Sequence, residues 1–236
     1  MKVLINCEYS GIVREAFRRA GHDAWSCDLL PTEIPGQHIL GDAIEAMQSR
    51  RWDMMIAHPP CTYLSCSGLH WNKRRPDRAF QTEAAIAFAT LMLNAPIAHI
   101  ALENPIGCLS TRIRKPDQII QPYQFGEDAS KATCLWLKNL PPLREGKYIQ
   151  PRMVCTSCKG VSPYKAASKD GCDHCGAEPG LLRPRWANQT DSGQNKLGPS
   201  PTRAKDRAKT YAGIAAAMAE QWGNQAGYPA CEKVTG

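Results

Sequence analysis

Over roughly the first hundred residues, short apolar runs alternate with helix-like stretches, and each run ends in a turn that carries polar chemistry. Lys2 to Cys7 (KVLINC) reads as a strand that ends in a turn at Ser10-Gly11. A helical stretch follows, with Ile12, Val13, Ala16, Phe17 and Ala20 on one face and Gly21 as its stop. A second strand, Asp23 to Leu30, contains Asp28, and a third, His38 to Leu40, ends at Gly41-Asp42 before a short helix. Trp52 to Ala57 is a buried strand leading into His58-Pro59-Pro60-Cys61. A long helix, about Asp77 to Leu93, precedes a strand from Ile97 to Leu102 that ends in Glu103-Asn104-Pro105. Repeated βα units imply a parallel sheet with helices on both faces, and such sheets bind ligands at the carboxyl ends of their strands.

The second half is less regular. Lys131 to Leu140 reads as one more strand, stopped by Pro141-Pro142. Residues 151–180 are rich in Cys, Gly, Ser and Lys. A Gly/Pro/Asn/Ser-rich connection, Asn188 to Pro201, leads to a closing helix from about Thr202 to Trp222, basic in its first half and apolar in its second. The expected organisation is a core over 1–150, a metal-binding insertion over 151–182, and a basic connection with a returning helix over 183–236. A chain of 236 residues is ample for one α/β domain with a small insertion.

No apolar run approaches the roughly 20 residues of a membrane span, and the first ten residues lead into a strand, so a membrane or secreted protein is not expected. The formal charge is +7, and the positive excess is clustered. Arg183 to Lys209 holds seven basic and two acidic residues, Lys73 to Arg78 four and one, and Arg112 to Asp117 three and one. Clustered Lys and Arg beside an otherwise acidic chain suit a polyanionic partner, although the same pattern can be a solvated face. Eleven cysteines suit reduced thiols and a metal site, hence a cytoplasmic protein, better than a disulfide framework.

Cys155-x-x-Cys158 and Cys172-x-x-Cys175 are separated by 13 residues. Two residues between thiolates let both sulfurs of one turn reach a tetrahedral ion about 2.3 Å away. Gly160, Gly171 and Gly176 supply the tight turns, and His174 sits inside the second knuckle without an assigned role. No open coordination position is apparent, so a structural Zn2+ is expected; four free thiols or two redox pairs are the plainer alternatives.

Pro59 and Pro60 stiffen the loop that carries Cys61, because proline fixes φ and restricts the residue before it. Such a loop can hold a nucleophilic thiol, although an isolated cysteine is more often structural. Glu103 at the next strand end adds a carboxyl group able to hydrogen-bond a ring nitrogen while the thiolate attacks the ring. The ordinary reading of Glu103-Asn104-Pro105 is an acidic residue in an Asn-Pro turn.

Taken in order, these pieces resemble the DNA (cytosine-5)-methyltransferases. Glu8, Tyr9, Ser10 and Gly11 resemble the family's S-adenosyl-L-methionine loop, Asp28 the acid on the ribose hydroxyls, and Asp42 the residue on the adenine amino group. His58-Pro59-Pro60-Cys61 resembles the nucleophile motif, with Pro59 beside the cofactor and Pro60 beside the substrate. Glu103-Asn104-Pro105 resembles the Glu-Asn-Val motif, and Tyr211 to Trp222 the last family motif, which packs beside the cofactor. The resemblance covers about 1–140 and 202–223. It implies a Rossmann-like S-adenosylmethionine-dependent methyltransferase fold with a small zinc-binding insertion.

The implied activity is DNA (cytosine-5-)-methylation, with DNA as partner. Cys61 would add to carbon 6 of cytosine, Glu103 would brace ring nitrogen 3, and Asn104 would support the substrate. The chain departs from the family in having one glycine in the cofactor loop and no visible Gln-x-Arg-x-Arg motif. Lys131, Thr133, Arg203, Arg207 and Lys209 are candidates for the missing arginine's work, although Thr133, Leu135 and Leu137 equally fit one face of a core strand. Alternatives are methylation of an exocyclic amine, action on RNA or a free nucleotide, and a non-catalytic nucleic-acid-binding protein on this core. Cys7, Cys27, Cys134 and Cys231 read as structural; Cys66 and Cys108 have no assigned work, and His58 reads as a satisfied structural histidine.

Overall fold

The structure, a computed structural model, describes residues 1–164 and 171–224. Cys231 and the end of the expected 183–236 segment lie outside the described residues. The chain divides into two compact units. The first comprises Met1–Ile120, Ala132–Arg144 and the chain from Thr210; the second comprises Gln121–Lys131 and Glu145–Lys209.

The first unit is built on a seven-stranded sheet of order β3-β2-β1-β4-β5-β7-β6. Its strands are β1 (Lys2–Asn6), β2 (Asp23–Asp28), β3 (His38–Leu40), β4 (Met54–Ala57), β5 (His99–Pro105), β6 (Gln118–Ile120) and β7 (Thr133–Lys138). Only β7 runs against its neighbours. Helices α1 (Ile12–Arg19), α2 (Ala43–Gln48) and α4 (Pro76–Leu93) provide the main crossovers, with short helices α3 (Cys66–Leu69) and α5 (Leu109–Arg112) beside the β4 and β5 ends. This is the expected α/β, Rossmann-like class.

All four β4 residues are buried, as are the last four of β1, which suits central parallel strands covered on both faces. One face joins Leu4, Met55, Ile100, Leu102 and Trp136 to Ala46 and Met47 of α2 and Ile86, Ala89 and Met92 of α4. On α1, Val13 and Phe17 are fully buried, and this helix packs against the last one, α7 (Ala212–Gly223), whose buried residues include Ile214, Met218 and Trp222. Trp222 is inaccessible to solvent, and its indole N–H donates to the Pro141 carbonyl at 2.9 Å.

Three of the differences from the sequence expectation concern β5, β6 and the closing helix. β5 continues through Glu103, Asn104 and Pro105, because each is in register with β7: Glu103 opposite Leu135, Asn104 opposite Cys134, Pro105 opposite Thr133. The edge strand β6 is new, three residues being too few for a periodic signal. The expected closing helix is two, α6 (Arg203–Ala208) and α7, separated at Lys209, whose ψ of 136° is extended.

In the second unit, β8 (Arg152–Cys155), β9 (Val161–Pro163) and β10 (Leu182–Arg185) form an antiparallel sheet of order β10-β8-β9. A small core of Met153, Cys155, Cys172 and Leu182 supports it. Tyr123 stacks on Trp186 with centroids 4.3 Å apart and meets Tyr148 edge-on.

Candidate active site and metal centre

The strand order reverses direction between β1 and β4, the point at which an open α/β sheet leaves a crevice at its carboxyl edge. The carboxyl ends of β1, β2, β3, β4 and β5 deliver Glu8, Asp28, Asp42, Cys61 and Glu103 to that one edge. Three of the five buried side-chain polar atoms without a hydrogen-bond partner, among the described residues, belong to the same strand ends: Asn6 Oδ1, His58 Nε2 and Asn104 Oδ1. Each such atom costs about 1–3 kcal/mol, so their grouping marks a place built for something other than stability.

On the β1 side, Glu8 folds inward. Its carboxylate accepts from Val13 N (2.7 Å), Arg14 N (3.3 Å) and Ser10 Oγ (3.1 Å), while Ser10 Oγ accepts from Ile12 N at 3.3 Å. Glu8 and Ser10 therefore hold the loop and the start of α1, with Gly11 left-handed at φ 77° and Tyr9 nearly buried between them. Asp28 Oδ1 accepts from Leu30 N, and Asp42 Oδ1 caps α2 by accepting from Ile44 N and Glu45 N. Both acids face the thiols between them. Burial, then Asp28 and Asp42, push the Cys27 thiol up to about 11, and burial with the same carboxylates pushes Cys7 higher still. Both are held as neutral thiols; Cys27 is buried in β2, whereas Cys7, expected in the core strand, is half-buried just past β1 with a left-handed φ of 58°.

An unforeseen strut supports the loop after β2. The fully buried Arg14 donates to Ser26 Oγ (2.9 Å), Thr32 Oγ1 (3.1 Å) and the Ile34 carbonyl. One arginine among the three of this helix gives no sequence sign of such a role.

On the β4–β5 side, several ties join the Cys61 loop to β5 and to the chain just beyond it. His58 Nδ1 meets Glu103 Oε2 at 2.7 Å, and both side chains are about nine-tenths buried. Asn104 Nδ2 donates to the Pro59 carbonyl at 2.8 Å. Beyond β5, Cys108 N donates to the Leu64 carbonyl at 2.9 Å, and Gly107 lies so close to that peptide that a Cβ would collide with its backbone. Cys61 begins a 3₁₀ turn, Cys61–Tyr63, and is half-buried. Arg78 holds the following segment through the Thr62 carbonyl (2.7 Å), the Gly68 carbonyl and the Tyr63 ring. The Glu103 carboxylate also raises the Cys134 thiol, after burial.

The remaining expected substrate residues are distributed differently. Thr133 is buried at the start of β7, in register with Pro105, which fits the core-strand reading as well as a site role. Lys131, Arg203 and Arg207 belong to the second unit; Lys131 Nζ donates to the Lys209 carbonyl at 3.4 Å, and Arg207 is exposed on α6. Several cations of the basic windows are paired with acids: Arg112 with Glu83, Arg114 with Asp117, Arg75 with Asp77. A groove of about 1130 Å³ opens at the opposite, amino end of the sheet, lined by Met1, Asp53, His99 and Lys138 among others, and none of the expected chemistry lies in it.

In the second unit, Cys155, Cys158, Cys172 and Cys175 bring four sulfurs within 4.8 Å of one another. The Cys155–Cys175 and Cys158–Cys172 pairs are 3.9 and 3.5 Å apart. A tetrahedron of sulfurs 2.3 Å from one zinc has edges of about 3.8 Å, so the cluster fits that ion. Backbone N–H groups of Cys158 and Ser157 pull the Cys155 thiol down to about 7, while, against the Ala177 N–H, the neighbouring thiols and burial push Cys175 up to about 12. His174 stays outside the cluster, its Nε2 3.2 Å from the Val161 carbonyl.

No family model matches the chain, and no curated protein does. Among solved structures, one match is assigned as a DNA modification methyltransferase encoded within an E. coli prophage: TM-score 0.39, 14% identity, 58% of this chain and 46% of that one. Another is a triple mutant of Spodoptera frugiperda DNMT2: TM-score 0.38, 14% identity, 63% of this chain and 54% of that one. The chain thus spans about half the length of the solved structures it matches.

Proposed function

We propose that this protein is an S-adenosylmethionine-dependent DNA (cytosine-5-)-methyltransferase. The observation that carries this reading is the set of ties around His58, Asn104 and Gly107. They lock a Pro-Pro-Cys loop to a buried carboxyl group across the two strands beside the sheet's switch point. Asp28, Asp42 and Pro59 flank the place where the cofactor's ribose and adenine would lie. Glu8, Ser10 and Gly11 shape the loop around it, with Tyr9 between them, and the orphaned Asn6 Oδ1 leaves a buried acceptor at the same edge. When bound, S-adenosylmethionine supplies an activated methyl group on a sulfonium.

The chain's own residues do the rest. The Cys61 thiolate adds to carbon 6, forming a C–S bond and pushing electron density to carbon 5 and ring nitrogen 3. Glu103, as the neutral acid, stabilises that density by donating its carboxyl proton to a hydrogen bond at nitrogen 3, and keeps or regains that proton when Cys61 leaves. After carbon 5 is methylated, a base takes its proton and the electrons expel Cys61 as thiolate. A base in duplex DNA must first leave the stack, at a cost of a few kcal/mol. Pro60, Asn104, Thr133 and Lys131 are assigned to the substrate side. Arg203, Arg207 and Lys209 are assigned to phosphates, which position the protein without reading sequence. The four cysteines would hold a structural Zn2+ in the insertion over 151–182 of a cytoplasmic enzyme.

The test is incubation with S-adenosylmethionine and duplex DNA containing 5-fluorocytosine, whose fluorine blocks the final elimination. A covalent adduct mapping to Cys61 by mass spectrometry, absent in Cys61→Ala, is expected. Methyl transfer that persists in Cys61→Ala would move the reaction to an exocyclic amine. Transfer to RNA or dCMP but not to duplex DNA would move the substrate.

A further inference from the structure

We propose that His58 is a positioning residue that sets the carboxyl plane of Glu103 for the pyrimidine ring; this rests on the cytosine-5 reading above. A glutamate carboxyl turns in a broad, two-fold torsional well, so a bare chain would present its oxygens over a range of angles. The 2.7 Å contact to His58 Nδ1 removes that freedom, and little water reaches either side chain to compete for it. The backbone makes the contact systematic: β4 and β5 are in register through Ala57 and Leu102, so the next residues, His58 and Glu103, emerge side by side.

His58 Nε2 carries the second part of the argument. It is buried without a hydrogen-bond partner, so the imidazole spends its one hydrogen bond on Glu103. A histidine serving packing alone would be replaced at less cost by an apolar side chain of similar size. The proposed role requires Nδ1–H to donate to Glu103 Oε2, which leaves Oε1 to carry the proton offered to ring nitrogen 3; a carboxyl proton given to Nδ1 instead would leave none for the ring.

Single-turnover methyl transfer to a cytosine duplex tests this in His58→Ala, His58→Asn and His58→Gln, each with and without Glu103→Gln. His58→Ala should slow transfer about 10- to 100-fold, the range seen when a supporting partner of a catalytic group is lost. The KM for DNA and calorimetric S-adenosylmethionine affinity should stay within about twofold, since orientation is lost and binding is not. His58→Asn, whose amide N–H falls near Nδ1, should recover most of the rate; His58→Gln, whose amide falls near Nε2, should not. In Glu103→Gln, adding His58→Ala should cost less than about threefold, as two residues acting as one unit do not add.

An undiminished rate in a folded His58→Ala, or the same loss with and without Glu103, overturns the proposal while the Cys61 adduct still forms. Absence of the adduct in the wild-type protein overturns the cytosine-5 reading itself and this inference with it.

Discussion

Asp42 serves at least one purpose that has nothing to do with a ligand: its Oδ1 satisfies two backbone N–H groups at the start of α2. Serine caps helices about as well as aspartate but carries no charge. Asp42→Ser should therefore leave stability within about 0.5 kcal/mol in urea unfolding, while S-adenosylmethionine binding by calorimetry falls at least tenfold. Asp42→Ala should lose about 1 kcal/mol as well, through the missing cap. Equal binding by wild type and Asp42→Ser would remove Asp42 from the cofactor assignment. Glu8 shows how far such roles were legible: a carboxylate at a strand end is visible in the sequence, but its three inward hydrogen bonds depend on a left-handed Gly11 that only the folded loop displays. His58 read as an ordinary histidine for the same reason, since its partner is 45 residues away in sequence.

Among elements, the junction of the Cys61 loop with the chain beyond β5 is the tightest fit. A Cβ at Gly107 would strike the Leu64 carbonyl, which is backbone and already accepts from Cys108 N. Gly107→Ala must spread that junction. It should cost about 1–3 kcal/mol in urea unfolding and reduce methyl transfer more than cofactor binding. An alanine variant with wild-type stability and rate would show that the two segments are not rigidly coupled. The βα alternation was readable because 2.0 and 3.6 periodicities separate cleanly in long runs. The last three residues of β5 were not, because Glu-Asn-Pro spells a turn locally and only pairing with β7 draws it into the sheet. Lys209 interrupts the closing helix without glycine or proline, so no residue-level stop announced it.

For the whole molecule, the two units depend on different physics. The larger has a sheet with an extensive apolar core; the smaller has a three-stranded sheet against a cluster of Met153, Cys155, Cys172 and Leu182, two of them members of the four-cysteine group. A cluster this small contributes little by burial, and the binding energy of an ion held by its cysteines would become folding energy. Native mass spectrometry should find one Zn2+ per chain. Chelation should abolish hydrogen-exchange protection in β8, β9 and β10 while β1, β4 and β5 stay protected; protected β8–β10 amides without metal would reject the structural assignment. The cysteine spacing was legible because four thiolates with paired spacing leave few alternatives, whereas the sheet around them was not, its strands having three or four residues.

The packing of α1 against α7 also sets a timetable for synthesis. Val13 and Phe17 of α1 are buried in the folded unit, but the helix α1 packs against, with its buried Ile214, Met218 and Trp222, is translated some two hundred residues later. At about 5–20 residues per second this delay is on the order of 10–40 s. During that interval the nascent chain carries the apolar stripe of α1 without its partner helix, an open invitation to chaperones that closes only when α7 emerges.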